Sequence, residues 1–160
     1  MKSKMFNSSV LTMGFAPKHN FRDFSLLSSI QFNCRADYSN AEKKVLECAN
    51  YLISNPLDRK NLNRGYAESF LALWISGTPD FSFNIDKTAC KIVKCNLSLL
   101  SIYLAFAVKY MLENRDKVND ENDIYKYVFS MVIGYCNNPQ NKVELNDSLK
   151  ELLNEKCKVA

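Results

Sequence analysis

Glycine and proline are scarce in this chain of 160 residues, with four of each. An all-β protein needs a turn every 8–12 residues or so and would spend more of both, so the scarcity favours long helices. Histidine is scarcer still. His19 is the sole one, and a His-based triad or a His-rich metal site would have to rest on it, which sets that chemistry aside. The sequence contains no G-x-x-x-x-G-K-[ST] phosphate loop, no G-x-G-x-x-G fingerprint, no H-E-x-x-H and no D-x-D-x-D-G calcium loop, so no cofactor or metal is expected. Long hydrophobic runs are missing too. The longest uncharged stretch without a turn residue, Cys95 to Val108, falls short of the roughly 20 residues that span a bilayer and reads as a buried helix. Six cysteines stand at 34, 48, 90, 95, 136 and 157 with no C-x-x-C pair, so free, mostly buried thiols are the expectation. Cys90 and Cys95 would sit about 140° apart on one helix, too far round to bridge or share a metal.

What is present points to one packed domain. Hydrophobic residues make up 47% of the chain and aromatics 12%, enough to build a core in a chain of single-domain length. The net charge of +4 permits a polyanionic partner without requiring one. Lys2 and Lys4 precede an uncharged stretch from Met5 to Pro17 with Gly14 and Ala16 near its end. That pattern leaves a degenerate leader, a tail and an alternative start open as readings. The domain division is 1–38 as a weakly patterned N-terminal segment, in which Phe21, Phe24, Leu27 and Ile30 suggest one short docking helix, and 39–160 as a helical domain.

From Ser39 the apolar period is helical. Ser39-Asn40-Ala41-Glu42 reads as a capping box that opens a helix with the stripe Ala41, Val45, Cys48, Leu52, ending before Asn55-Pro56. The second helix carries Tyr66, Phe70, Leu73 and Trp74 and stops at Gly77, expected as a left-handed cap. Asp86 can cap a short third helix with Lys87, Lys91 and Lys94 on one face. A fourth, from about Leu97 to Asn114, is apolar on most sides and belongs in the middle of a bundle. A fifth runs from about Asp120 to Cys136, and a last, from about Asn146 to Lys156, has Leu149, Leu152 and Leu153 inward as a lid. The expected fold is all-α, a compact bundle of five to six helices, with an irregular α-solenoid of helical hairpins as the alternative.

The densest local signal is Trp74-Ile75-Ser76-Gly77-Thr78-Pro79-Asp80-Phe81-Ser82-Phe83: a helix end, a turn and an aromatic extension. A packed connection explains each part, and a recognition surface at Trp74, Thr78, Asp80, Phe81 and Phe83 is the functional alternative, since binding residues gather on turns with rigid support. Together with Asn50-Tyr51-Leu52-Ile53-Ser54-Asn55-Pro56, Asn63-Arg64-Gly65-Tyr66-Ala67 and Tyr135-Cys136-Asn137-Asn138-Pro139, this segment resembles a family of small, uncharacterised helical bacterial proteins, often exported. Their pattern runs N-P, then N-R, then W-x-x-G-T-P-D-aromatic. The resemblance covers about two-thirds of the chain and implies an α fold with no assigned reaction or ligand. It also implies a periplasmic or secreted protein, whereas the N-terminal residues read as cytoplasmic.

The leading functional expectation is a non-enzymatic helical protein that acts through contacts with an unidentified protein partner. One alternative is nucleic-acid or acidic-surface binding through Lys87, Lys91 and Lys94, against which stands the lack of interleaved aromatics. Another is a hydrolytic enzyme using Asp80 and Asp86, two carboxylates flanking an aromatic turn. Asn7-Ser8-Ser9, Asn96-Leu97-Ser98 and Asn146-Asp147-Ser148 match the glycan acceptor pattern, and the latter two are read as helix caps.

Overall fold

In the computed structural model, which describes residues 23–83, 87–117 and 121–157, these periods wind into six α-helices. They are α1 (Arg35–Ser54), α2 (Leu62–Gly77), α3 (Lys87–Cys95), α4 (Leu99–Glu113), α5 (Glu121–Asn137) and α6 (Asp147–Cys157). Short 3₁₀ turns at Ser25–Ser29, Arg115–Lys117 and Pro139–Asn141 complete the path, and no strand occurs among the described residues.

The apolar girdle of α4 decides the architecture. Leu99, Ile102, Tyr103, Ala105, Phe106, Ala107, Val108 and Met111 are all buried, which a helix achieves only when neighbours cover most of its circumference. Those neighbours are α1, α3 and α5. Ala105 and Val108 join a cluster of Phe24 and Leu27 from the first 3₁₀ turn, Val45, Cys48 and Leu52 of α1, and Ala67, Phe70, Leu71 and Trp74 of α2. Ile102, Tyr103 and Phe106 join a second with Ile92 of α3, Val128 and Val132 of α5, and Leu149, Leu152 and Leu153 of α6. The result is a compact all-α bundle of two half-cores that share one central helix. α6 closes the second half. The Asn146 side-chain oxygen accepts the Leu149 amide at 2.8 Å as its N-cap, and the Asn146 amide donates to the Cys95 carbonyl at 2.8 Å.

Three local expectations are corrected. α1 starts at Arg35, not Ser39, so the boundary at 38/39 falls inside a helix. The Asp37 carboxylate accepts the amides of Asn33 and Cys34 at 2.8 and 2.9 Å, an earlier cap of the same kind, and Ser39 only bonds back to the Arg35 carbonyl. The added turn carries Tyr38 onto Phe32, their rings stacked at 4.6 Å. Upstream, Phe24 and Leu27 are buried as expected of a docking turn, with the Phe24 amide on the Asn63 side chain at 2.7 Å, whereas Phe21 lies outside the described residues.

In α2, Tyr66 and Leu73 are not in the buried stripe. They are 38% and 50% exposed, and the inner face is Arg64, Ala67, Phe70, Leu71 and Trp74. Gly77 ends α2, but no described glycine has a positive φ. Its hydrogen atom is needed for a different reason: a Cβ there would overlap the Tyr38 hydroxyl. Leu97 precedes α4 and is 69% exposed. The proposed cap Asp86 lies outside the described residues.

Candidate functional site

The expected surface at the end of α2 is largely packed. Trp74 is fully buried and its indole N–H donates to the Tyr38 carbonyl at 3.0 Å. Phe81 and Phe83 fold back over it at 5.9 and 6.1 Å between ring centroids and are half-buried. The Asp80 carboxylate is ion-paired with Arg35. Arg115 lies 5.2 Å over the Phe81 ring and pairs with Glu42, whose hydrogen bond raises the guanidinium pKa. The Thr78 amide closes the helix on the Trp74 carbonyl at 3.0 Å. Thr78, Asp80, Phe81 and Phe83 keep partial exposure along a sealed edge. Asp86, the other carboxylate of the hydrolytic reading, lies outside the described residues. Lys87, Lys91 and Lys94 are exposed on one face of α3, opposite buried Ala89 and Ile92.

Sequence reasoning missed a groove between α2 and α4. Both helices pack along the first half-core, and beside their seam lies an open depression of about 390 Å³, walled by Leu71 and Ala72 on one side and Leu97, Leu100 and Leu104 on the other. At its mouth the Arg59 guanidinium reaches the Ser98 hydroxyl with Nε at 2.9 Å and Nη2 at 2.6 Å. Arg59 and Ser98 also line a more polar depression of about 530 Å³ that continues toward Lys142, Glu144 and Asn146.

The groove has one polar corner. Arg64, 3% exposed, donates through Nε to Glu68 at 2.9 Å and through Nη1 to the Pro56 and Leu52 carbonyls at 3.2 and 3.5 Å, while Nη2 has no hydrogen bond. Glu68 accepts the Ser101 hydroxyl at 2.8 Å, which links α2 to α4. Behind the guanidinium, the Tyr135 hydroxyl donates to the Asn55 carbonyl at 2.7 Å. Burial pushes that phenol up to about 12, against the pull of Arg64. Asn141 completes the knot: its carbonyl accepts the Leu57 amide at 2.9 Å and its side chain donates to the Tyr135 carbonyl at 2.8 Å. The two Asn-Pro segments, 55–56 and 138–139, are thereby tied around one arginine. Apart from Arg64 Nη2, the ionic groups here are engaged with each other, with backbone and with the Ser98 and Ser101 hydroxyls, so the groove offers chiefly shape and apolar wall.

The outward face of α2 is the most unusual surface. At about 100° per residue, Leu62, Gly65, Tyr66, Ser69, Ala72, Leu73 and Ser76 cover roughly 120° of arc, and all seven are exposed. None carries a charge. Of the two ionic residues of α2, Arg64 is buried and Glu68, 35% exposed, lies at the groove and pairs with it. Leu62 is 77% exposed. A solvated helix ordinarily carries charges on this side. Gly65 borders the groove with open space beyond it.

The thiols are unreactive where buried: desolvation pushes Cys48 and Cys136 up to about 12. Cys34 and Cys90 are exposed free thiols. Among the described residues no three His, Cys, Asp or Glu side chains gather to hold a metal ion, and no helix is long and apolar enough to cross a membrane. Asn146 is a helix cap as expected, and Asn96 shapes the turn before α4 by accepting the Ser98 amide at 3.0 Å. Asn7 lies outside the described residues. Compared with protein-family models, curated proteins and solved structures, the chain matches none.

Proposed function

We propose that this chain is a non-enzymatic helical protein that acts through protein contacts, made by the outer face of α2 and the groove beside it. The observation that carries this reading is the charge-free arc of α2 with Leu62 and Leu73 77% and 50% exposed. Isolated exposed leucines are ordinary, but an uncharged helix face next to an apolar groove is the form of a surface that a partner covers. The surface expected from the sequence, Thr78 to Phe83, follows directly on the last turn of α2 and would lie at the rim of that contact. The likeness to small helical bacterial proteins without an assigned reaction fits the same reading, and bacterial origin and export belong to the proposal with it.

Photo-cross-linking tests it. With p-benzoylphenylalanine in place of Leu73, irradiation of cells that make the chain should give discrete protein adducts. The same group in place of Lys126, a 79% exposed side chain on α5, should not. Equal or absent labelling at the two positions overturns the reading.

A further inference from the structure

We infer that the groove between α2 and α4 binds a small uncharged molecule with a primary carboxamide at one end and an apolar body, the amide being read by Arg64 and Glu68. This goes beyond the protein-contact reading and does not rest on it.

The first observation is an unpaired donor. Arg64 is 3% exposed and lines the groove, yet its Nη2 has no hydrogen-bond partner, the one buried side-chain nitrogen or oxygen among the described residues of which that is true. Buried polar groups in folded chains are nearly always bonded, and the exceptions mark places with a further role. Nη2 shares an edge of the planar guanidinium with Nε. It therefore sits on the side that Glu68 occupies, away from the Leu52 and Pro56 carbonyls that hold Nη1. The Tyr135 phenol behind it feels the pull of the guanidinium but is turned to the Asn55 carbonyl.

The second is an acceptor beside that donor. Glu68 takes both the Arg64 pair and the Ser101 hydroxyl on Oε1, which leaves Oε2 to the groove that Glu68 lines. The neutral polar side chains of the wall are committed: Ser98 to Arg59, Ser101 to Glu68, and Asn61 to the Tyr51 hydroxyl and the Arg64 amide. One donor and one acceptor side by side match a primary carboxamide, whose oxygen accepts and whose nitrogen donates. A carboxylate offers acceptors only, and an ammonium donors only. Because Nη2 is covered, the amide seats by turning the 35% exposed Glu68 about its outer torsions.

Charge and size define the rest of the ligand. Asp58, Arg59, Arg64 and Glu68 are the charged residues lining the groove, and their formal charges cancel, so an ion gains no net attraction there. Beyond the polar corner the walls are Leu71, Ala72, Leu97, Leu100 and Leu104, and the volume of about 390 Å³ is at the small end for a ligand pocket. It holds a short carbon chain, not a partner's helix.

Varying the head group on one tail tests the corner without altering the fold. Hexanamide, hexanoate and hexylammonium are titrated at pH 7 into the ¹⁵N-labelled chain, with the Arg64 Nε–H and Ser101 amide resonances as reporters. Hexanamide should shift both with a dissociation constant on the order of 1 mM, and should bind at least tenfold tighter than either ion. Ala72→Phe, at an exposed position on the groove wall, should weaken hexanamide at least tenfold in a chain that remains folded. N-acetylglutamine methylamide carries the same amide on a peptide backbone and separates a free ligand from a partner's side chain; it should bind at least tenfold more weakly than hexanamide. No shift at about 20 mM hexanamide, equal binding of the three head groups, unchanged binding by A72F, or binding of the glutamine compound as tight as hexanamide each overturns the site. None of these outcomes bears on cross-linking at position 73, which reports the outer face of α2.

Discussion

At the scale of single residues, two glycines in one helix have opposite reasons to be there. Gly65 and Gly77 both belong to α2, and both cost helical stability relative to alanine. A Cβ on Gly65 meets nothing within 4 Å, so Gly65→Ala should stabilise the chain by about 0.8–1 kcal/mol. A Cβ on Gly77 overlaps the Tyr38 phenol, which is held by its stack on Phe32. Gly77→Ala should therefore destabilise by about 1–3 kcal/mol, as overpacking does. Urea midpoints of the two variants on opposite sides of the parent would bear this out; both above it would show that Tyr38 moves aside freely. The sequence showed that a glycine ends α2, but a tight approach from a residue 39 positions away in the chain leaves no local mark, so the left-handed cap was the natural reading. Asp37 gives a pH-dependent case. The Asn33 and Cys34 amides that donate to its carboxylate hold its pKa below the ordinary range. A depressed folded value stabilises above the unfolded value of about 3.9 and is lost as pH falls through the folded one. Asp37→Ala should thus lower the thermal midpoint at pH 7 and cost progressively less below about pH 4; a deficit constant from pH 7 to pH 2 would refute the assignment.

At the scale of elements, α2 explains both what was legible and what was not. The ends of α4, α5 and α6 fell within about two residues of expectation, because each has an apolar face bounded by Asn or Pro signals. α2 is apolar on both faces. Its period alone cannot say which leucines and aromatics go inward, so Tyr66 and Leu73 were joined to Phe70 and Trp74 in one stripe. The residue that decides the orientation is polar. Arg64 turns inward because Glu68, one turn on, and the Pro56 and Leu52 carbonyls receive it, and carbonyls donated by a preceding connection cannot be seen in a periodicity. The groove was illegible for a related reason, since its walls come from two helices with 21 residues of chain between them. The same pairing yields a prediction. Glu68→Gln leaves the 3%-exposed guanidinium without its counter-charge, and Arg64→Met leaves Glu68 with the Ser101 hydroxyl but no counter-charge and the Pro56 carbonyl without the guanidinium donor. Each should cost about 3 kcal/mol. The Arg64→Met, Glu68→Gln double variant should lose less than the two together by 1 kcal/mol or more, since uncharged partners leave no orphaned ion. Additive losses in denaturant titrations would mean that the two residues act separately.

At the scale of the molecule, the decisive feature is that two half-cores lean on the same helix. The half formed by α1, α2 and the first 3₁₀ turn meets Ala105 and Val108, and the half formed by α3, α5 and α6 meets Ile102, Tyr103 and Phe106 on the same α4. Neither half can lose α4 without exposing the other, so unfolding should be one cooperative transition. The single tryptophan makes this testable, because Trp74 lies wholly in the first half-core whereas Leu149, fully buried, lies wholly in the second. Leu149→Ala should cost about 3 kcal/mol, which at a slope of about 2 kcal/mol per molar shifts the urea midpoint down by about 1.5 M. If α4 couples the halves, Trp74 fluorescence must shift by the same amount as far-ultraviolet circular dichroism, although no atom of the substituted side chain belongs to the tryptophan's cluster. A fluorescence midpoint that stays at the parent value while the circular dichroism splits into two steps would show that the second half melts alone, and that α4 belongs energetically to the first half only.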